Sequence, residues 1–304
     1  MSNNLIAIEP VQLASQVAAI EAAGGKVVAL SPEVRALVWT DYWNPDGLVA
    51  ALDSNPQLEW VQLPFAGVDA FSQILKRPLR FTSAKGAYRE PVAEHALMLC
   101  MALGRKLPER VRATSWGQKF AVSLYDANVV IVGAGGITQE LLNQLAPFRS
   151  RVTVVRNSSQ PMAGAHHTVQ LNDLDSVLPQ AQFVILACAL THDTMHLFNL
   201  ERFKKMNPDA YLVNVARGPH IVTADLQTAL EDGLLAGAAI DVTDPEPLPD
   251  GHPLWTTPNL IITPHTADTN VQVEHLFGIR LAENVAAYLG NGPWVGQVDP
   301  DLGY

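Results

Sequence analysis

The stretch Asn128–Thr138, NVVIVGAGGIT, runs from β-branched residues through three glycines into a helical pattern. Val129–Val132 reads as a strand, and Ile137, Leu141, Leu142 and Leu145 form one apolar face of the helix that follows. Strand, glycine turn and helix in that order can hold a dinucleotide pyrophosphate. Gly133 permits the tight turn, Gly135 lets a phosphate approach the backbone, and the helix N-terminus offers unpaired N–H groups. Gly136 adds freedom to the turn and Ile137 opens the helix, so these four residues are the expected contacts. The match is incomplete, because Thr138 stands where a third glycine usually lets the helix pack close to the strand. An ordinary glycine-rich connection fits the same residues, and the turn alone does not decide between the two.

The next strand, Val152–Val155, ends in Arg156-Asn157-Ser158-Ser159. NAD sites usually place a carboxylate there for the ribose hydroxyls. An arginine instead offers charge to a 2′-phosphate, with Asn157 and Ser158 as neighbouring hydrogen-bonding groups. The two signals in sequence favour a dinucleotide site, and NADP over NAD. Further strands read at Phe183–Ala187, Tyr211–Val215, Ala238–Val242 and Leu260–Thr263, with helical patterns between most of them. Upstream, the same rhythm appears at Leu5–Ile8, Val27–Leu30, Leu37–Thr40 and Trp60–Leu63. Such alternation implies parallel sheets covered by helices. The expected fold class is α/β, with two doubly wound parallel-sheet domains: residues 1–98 with 285–304, and residues 99–284. An apolar helix over Glu94–Leu103 would link them, and a last helix would span about Thr269 to Leu289.

A chain of 304 residues is long enough for two such domains, and 48% hydrophobic residues fits a globular protein. The net charge of −10, with no block of Lys or Arg, argues against nucleic acid as a partner. No apolar run approaches the ~18 residues of a membrane span. The N-terminus, MSNNLIAIEP, lacks the basic start and apolar stretch of a signal peptide. Cys100 and Cys188 lie in apolar runs without metal-ligand spacing, which reads as buried thiols in a reducing cytoplasm. His192 and His196 are four apart but lack a third ligand, so no metal is expected, and His166-His167 reads as a surface loop.

The remaining motifs are LPFAGVD (Leu63–Asp69), GAYREPVAEHAL (Gly86–Leu97), VNVARG (Val213–Gly218), and the DV, EP, HPLW and TPH segments from Asp241 to His265. With the glycine turn, this ordered set resembles the D-isomer-specific 2-hydroxyacid dehydrogenases over nearly the whole length. The resemblance implies a Rossmann cofactor domain, a flavodoxin-like substrate domain, and an active site in the cleft between them. It also implies NADP or NAD as cofactor, a small 2-oxo acid such as glyoxylate or hydroxypyruvate as substrate, and a homodimer. The family's catalytic arginine, glutamate and histidine fall on Arg217, Glu246 and His265. Those residue types suit the chemistry: a planar cation for the substrate oxygens, and an imidazole proton donor oriented by a carboxylate.

By the same resemblance, the backbone of Ala66-Gly67-Val68 would hold the substrate carboxylate. Asp241 would face the nicotinamide carboxamide, and Val215 and Ala189 would lie among the cofactor contacts. Ala189 stands where many members have proline. Phe65, Tyr88 and Trp255 would line the substrate pocket. Formate dehydrogenase shares the fold but pairs its histidine with glutamine, and Glu246 argues against it. A dinucleotide-sensing corepressor-like binding protein on the same fold is the alternative from another class, and turnover of a 2-oxo acid discriminates. With no additional C-terminal domain in the sequence, feedback by amino acids is not expected.

Overall fold

The computed structural model describes residues 4–301. The chain divides into two units, Met1–Tyr88 with Thr269–Tyr304, and Arg89–Asp268. The boundaries read from the sequence, near 98 and 285, fall inside two helices, whereas the division falls at the start of each.

In chain order the first elements are β1 (Leu5–Glu9), α1 (Ala14–Ala22), β2 (Lys26–Val27), β3 (Ala36–Trp39), α2 (Pro45–Ser54), β4 (Trp60–Gln62) and β5 (Arg80–Thr82). Then follow α3 (Arg89–Gly104), α4 (Leu107–Arg112), β6 (Asn128–Val132), α5 (Gly136–Leu145), β7 (Arg151–Arg156), β8 (His167–Gln170), α6 (Leu174–Val177) and β9 (Phe183–Leu186). The last are α7 (Leu200–Phe203), β10 (Tyr211–Asn214), α8 (Thr223–Glu231), β11 (Gly237–Ile240), β12 (Leu260–Ile262) and α9 (Asn270–Tyr288).

In the first unit the strands lie in the order β2-β1-β3-β4-β5, all parallel, which is the flavodoxin order. Helix α9 packs on α1. Its buried Asn284 donates to Gln62 Oε1 (2.8 Å) and to the Val295 carbonyl (3.0 Å), and accepts from the Val295 N–H (2.9 Å). Arg280, also buried, donates to the carbonyls of Ser83 and Lys85. These polar ties hold α9 and the segment after it against the ends of β4 and β5.

The second unit has the parallel order β12-β11-β10-β9-β6-β7-β8. From β6 the chain winds outward one way through β7 and β8, and then the other way from β9 to β12. The reversal between β6 and β9 is the switch point where open α/β sheets bind ligands. Both faces of the central strands are covered. Val130, Val132, Val184, Leu186 and Leu212 pack on one side, and Val129, Ile131, Ile185 and Val213 on the other. That double burial explains their unbroken apolar runs.

Two strands escape the sequence reading. β5 has only three residues, and β8 is a half-exposed edge strand. His167 therefore opens a strand rather than lying in a surface loop, and His166 prolongs the pairing by donating its N–H to the Val152 carbonyl (2.9 Å). No helix among the described residues is long and apolar enough to cross a membrane.

Candidate active site

In the second unit the candidate residues follow the carboxyl ends of five parallel strands and of their neighbour β7, which brings them to one edge of the sheet. The glycine turn comes first. Gly133 has φ +115°, and a Cβ there would stand 2.3 Å from the Ala187 carbonyl oxygen at the end of β9. At Gly135, exposed before the first turn of α5, nothing lies within 4 Å of a Cβ position. Open space thus faces bare backbone at a helix N-terminus, with half-buried Gly136 and Ile137 next in line, and this fits a pyrophosphate. Thr138 is fully buried, and its hydroxyl donates to the Gly133 carbonyl (3.0 Å). The residue in place of the third glycine therefore fastens the turn from beneath.

The Gly133 N–H donates to the Val155 carbonyl (2.8 Å), so Arg156 ends β7 beside the turn. Arg156 is half-buried, and its guanidinium makes no hydrogen bond or ion pair among the described residues. Asn157 is exposed and its carbonyl accepts from Gln170 Nε2 (3.2 Å), while Ser158 Oγ accepts from the Gln160 N–H (3.1 Å). On the other side of β6, Ala189 follows β9, and its carbonyl accepts from the Thr194 hydroxyl (2.7 Å). Val215 follows β10 and donates its N–H to the Leu186 carbonyl (3.3 Å).

Arg217 stands just beyond β10 in a turn built by Asn214. That side chain accepts from the Ala216 N–H (3.0 Å) and donates to the Arg217 carbonyl (2.9 Å). Gly218 is required next, because a Cβ would stand 1.9 Å from the Thr243 carbonyl oxygen. The loops after β10 and β11 thus touch backbone to backbone, which brings Arg217 near the Glu246 loop. His265 Nδ1 lies 2.5 Å from Glu246 Oε1. The Glu246 hydrogen bond raises the imidazole above its ordinary pKa, against burial and the charge of Arg217.

Asp241, after β11, is turned inward with its side chain 1% exposed. Its Oδ1 accepts from the Thr263 hydroxyl (2.5 Å) and the Thr266 N–H (2.9 Å), and its Oδ2 from the Ala267 N–H (3.2 Å). His95 Nε2, from α3, lies 3.2 Å from Oδ1. Burial pushes the carboxyl up, but the hydrogen bonds from His95, Thr263 and Thr266 outweigh it and hold it below the ordinary carboxylate value. Asp241 therefore has a duty in the His265 loop that the resemblance does not mention. Sequence reasoning also missed His95 and Asn214; the single signal for His95 was its place in GAYREPVAEHAL.

The first unit carries the loop Ala66-Gly67-Val68 after β4. Ala66 is exposed, Gly67 half-buried and Val68 buried, and their N–H groups donate to no group among the described residues. Phe65 lies against the rings of Tyr42 and Tyr88, and the Tyr88 hydroxyl donates to the Pro64 carbonyl (3.1 Å). Trp255, in the second unit, donates its indole N–H to the Pro249 carbonyl (2.9 Å). His192 is fully exposed beside Asp193.

A family model described as D-isomer specific 2-hydroxyacid dehydrogenase, NAD binding domain, matches residues 96–267. A Corynebacterium melassecola protein, described as the uncharacterized protein in the proB 3′ region, is 39% identical over 260 residues, covering 83% of this chain and 86% of that one. The human glyoxylate reductase/hydroxypyruvate reductase is 32% identical over 251 residues, covering 79% of this chain and 76% of its own. The crystal structure of the D-isomer specific 2-hydroxyacid dehydrogenase from Xanthobacter autotrophicus Py2, in complex with NADPH and MES, matches with a TM-score of 0.84. Its identity is 27% and the match covers 99% of each chain.

Proposed function

The chain belongs to the D-isomer specific 2-hydroxyacid dehydrogenase family of NAD(P)-dependent oxidoreductases, and we propose that it is an NADP-preferring reductase of small 2-oxo acids of the glyoxylate or hydroxypyruvate type. The observation that carries this reading is the short His265–Glu246 contact beside Arg217. With Nδ1 engaged by Glu246, the imidazole has Nε2 left to deliver a proton to the carbonyl oxygen of a 2-oxo acid. Glu246 holds the imidazolium form until delivery and fixes the ring's direction. Arg217 offers its planar fork to the carboxylate and carbonyl oxygens, and the N–H groups of Ala66, Gly67 and Val68 are assigned to the carboxylate. Gly133, Gly135, Gly136 and Ile137 would hold the dinucleotide's phosphates, with Ala189, Val215 and Asp241 among its other neighbours. When bound, the reduced nicotinamide supplies the hydride that the carbonyl carbon receives.

Arg156, with Asn157 and Ser158, supports the preference for NADP. A charge-assisted contact to a 2′-phosphate contributes about 1.5–3 kcal/mol. The NADPH in the Xanthobacter relative accords with that preference. The two free cysteines accord with a cytoplasmic setting, and exposed Met98, Met101, Leu107, Val111, Trp116 and Phe120 support a homodimer through the second unit. The test is kcat/KM for NADPH and NADH with glyoxylate, hydroxypyruvate and larger 2-oxo acids, in wild type and Arg156→Asp. NADPH should be favoured by about ten- to a hundredfold in the wild type, with the order falling or inverting in the variant. Equal use of both cofactors, unchanged by the substitution, would remove Arg156 from the site.

A further inference from the structure

We infer that His95 is a positioning residue for His265, acting through the buried carboxylate of Asp241; this rests on the reading of His265 as the proton donor. His95 projects from α3 with its side chain 13% exposed. Its Nε2 lies 3.2 Å from Asp241 Oδ1 and 3.1 Å from Thr263 Oγ1. The Thr263 hydroxyl already donates its proton to Asp241 Oδ1, so it accepts from His95, and the imidazole carries its proton on Nε2. One N–H thus serves two acceptors that themselves form a hydrogen bond.

What this arrangement grips is the catalytic loop. The Asp241 carboxylate takes the Thr263 hydroxyl and the N–H groups of Thr266 and Ala267, and its main-chain carbonyl takes the His265 N–H (2.8 Å). The side chains and backbone around Thr263–Ala267 therefore converge on one residue. His265 also has φ +50°, a left-handed conformation that non-glycine residues seldom adopt and that persists only where the surroundings over-determine it. In that conformation His265 Nδ1 lies 2.5 Å from Glu246 Oε1. Without a donor from α3, the buried carboxylate loses part of what compensates its desolvation, and the loop loses a fixed anchor.

A histidine that only filled space between α3 and β11 would be replaceable by an apolar residue without consequence for His265. The discriminating readout is the titration of the His265 ring by NMR in the full chain, which needs neither cofactor nor substrate. The charged groups facing that ring are Glu246, Arg217, Asp241 and Asp268. In His95→Leu the His265 pKa should fall toward the ordinary value as the Glu246 contact loosens. His95→Gln places an amide N–H where Nε2 stood and should retain the wild-type titration. In turnover of a 2-oxo acid, kcat should fall by about tenfold or more in His95→Leu and recover in His95→Gln. If His95→Leu does not fold, His95→Asn replaces it, because its amide stops one bond short of Asp241 and should shift His265 in the same way. An unchanged His265 titration in the Leu or Asn variant, or an equal shift in the Gln variant, overturns the assignment. A wild-type protein that turned over no 2-oxo acid would defeat the proposed function instead, while the titration still decided the role of His95.

Discussion

Glu246 meets His265 on Nδ1, and that contact governs the pH range over which Nε2 carries a transferable proton. Its hydrogen bond raises the imidazole pKa, so the protonated form that the proposed reduction requires persists to higher pH than for a free histidine. Glu246→Gln keeps a hydrogen-bonding group but removes the charge. The basic limb of kcat/KM for reduction should move to lower pH, with a loss of about 10²-fold or more at the alkaline end. An unmoved limb would mean that Glu246 does not set the histidine's protonation. Thr138 is a different kind of residue. Its hydroxyl replaces the close packing of a glycine by a direct bond to the Gly133 carbonyl, so the departure from the glycine pattern is a second way of fixing the same turn.

The elements place these side chains through the loops that leave the carboxyl ends of the strands. Gly218 is where two such loops meet, and Gly218→Ala would put a methyl group 1.9 Å from the Thr243 carbonyl oxygen. Backbone must move on one side or the other. Either movement displaces Arg217 or Glu246, so the variant should lose about 1–3 kcal/mol of stability in a urea titration and most of its kcat. Full activity would show that the loops tolerate separation. The central strands could be read from the sequence because burial on both faces leaves an apolar run with no polar alternation. β5 and β8 could not, since one is three residues long and the other is a polar edge. Arg217, Glu246 and His265 were legible only through the family resemblance of the VNVARG, EP and TPH segments, since each of them alone also fits an ordinary strand end, turn or cap. His95 did not: its partner Asp241 lies far along the chain, and only the packing of α3 beside β11 brings the two together.

At the scale of the whole molecule, each unit builds its own parallel sheet, and α9 returns to the first unit through the buried Asn284 and Arg280. The second unit exposes the apolar side chains of Val111 (75%) and Trp116 (89%), which would lie in water in a monomer. Sedimentation of the wild type should give a dimer, and Val111→Asp with Trp116→Asp should give a monomer that still binds NADPH. A wild-type monomer would contradict the assembly. The central claim is that His265 protonates a 2-oxo acid as it is reduced. It is tested most directly by steady-state oxidation of NADPH with hydroxypyruvate, comparing wild type with His265→Ala at matched cofactor saturation. The account predicts a kcat lower by about 10²–10⁴ in the variant, with the Kd for NADPH unchanged. A variant that keeps more than half of the wild-type kcat would contradict it.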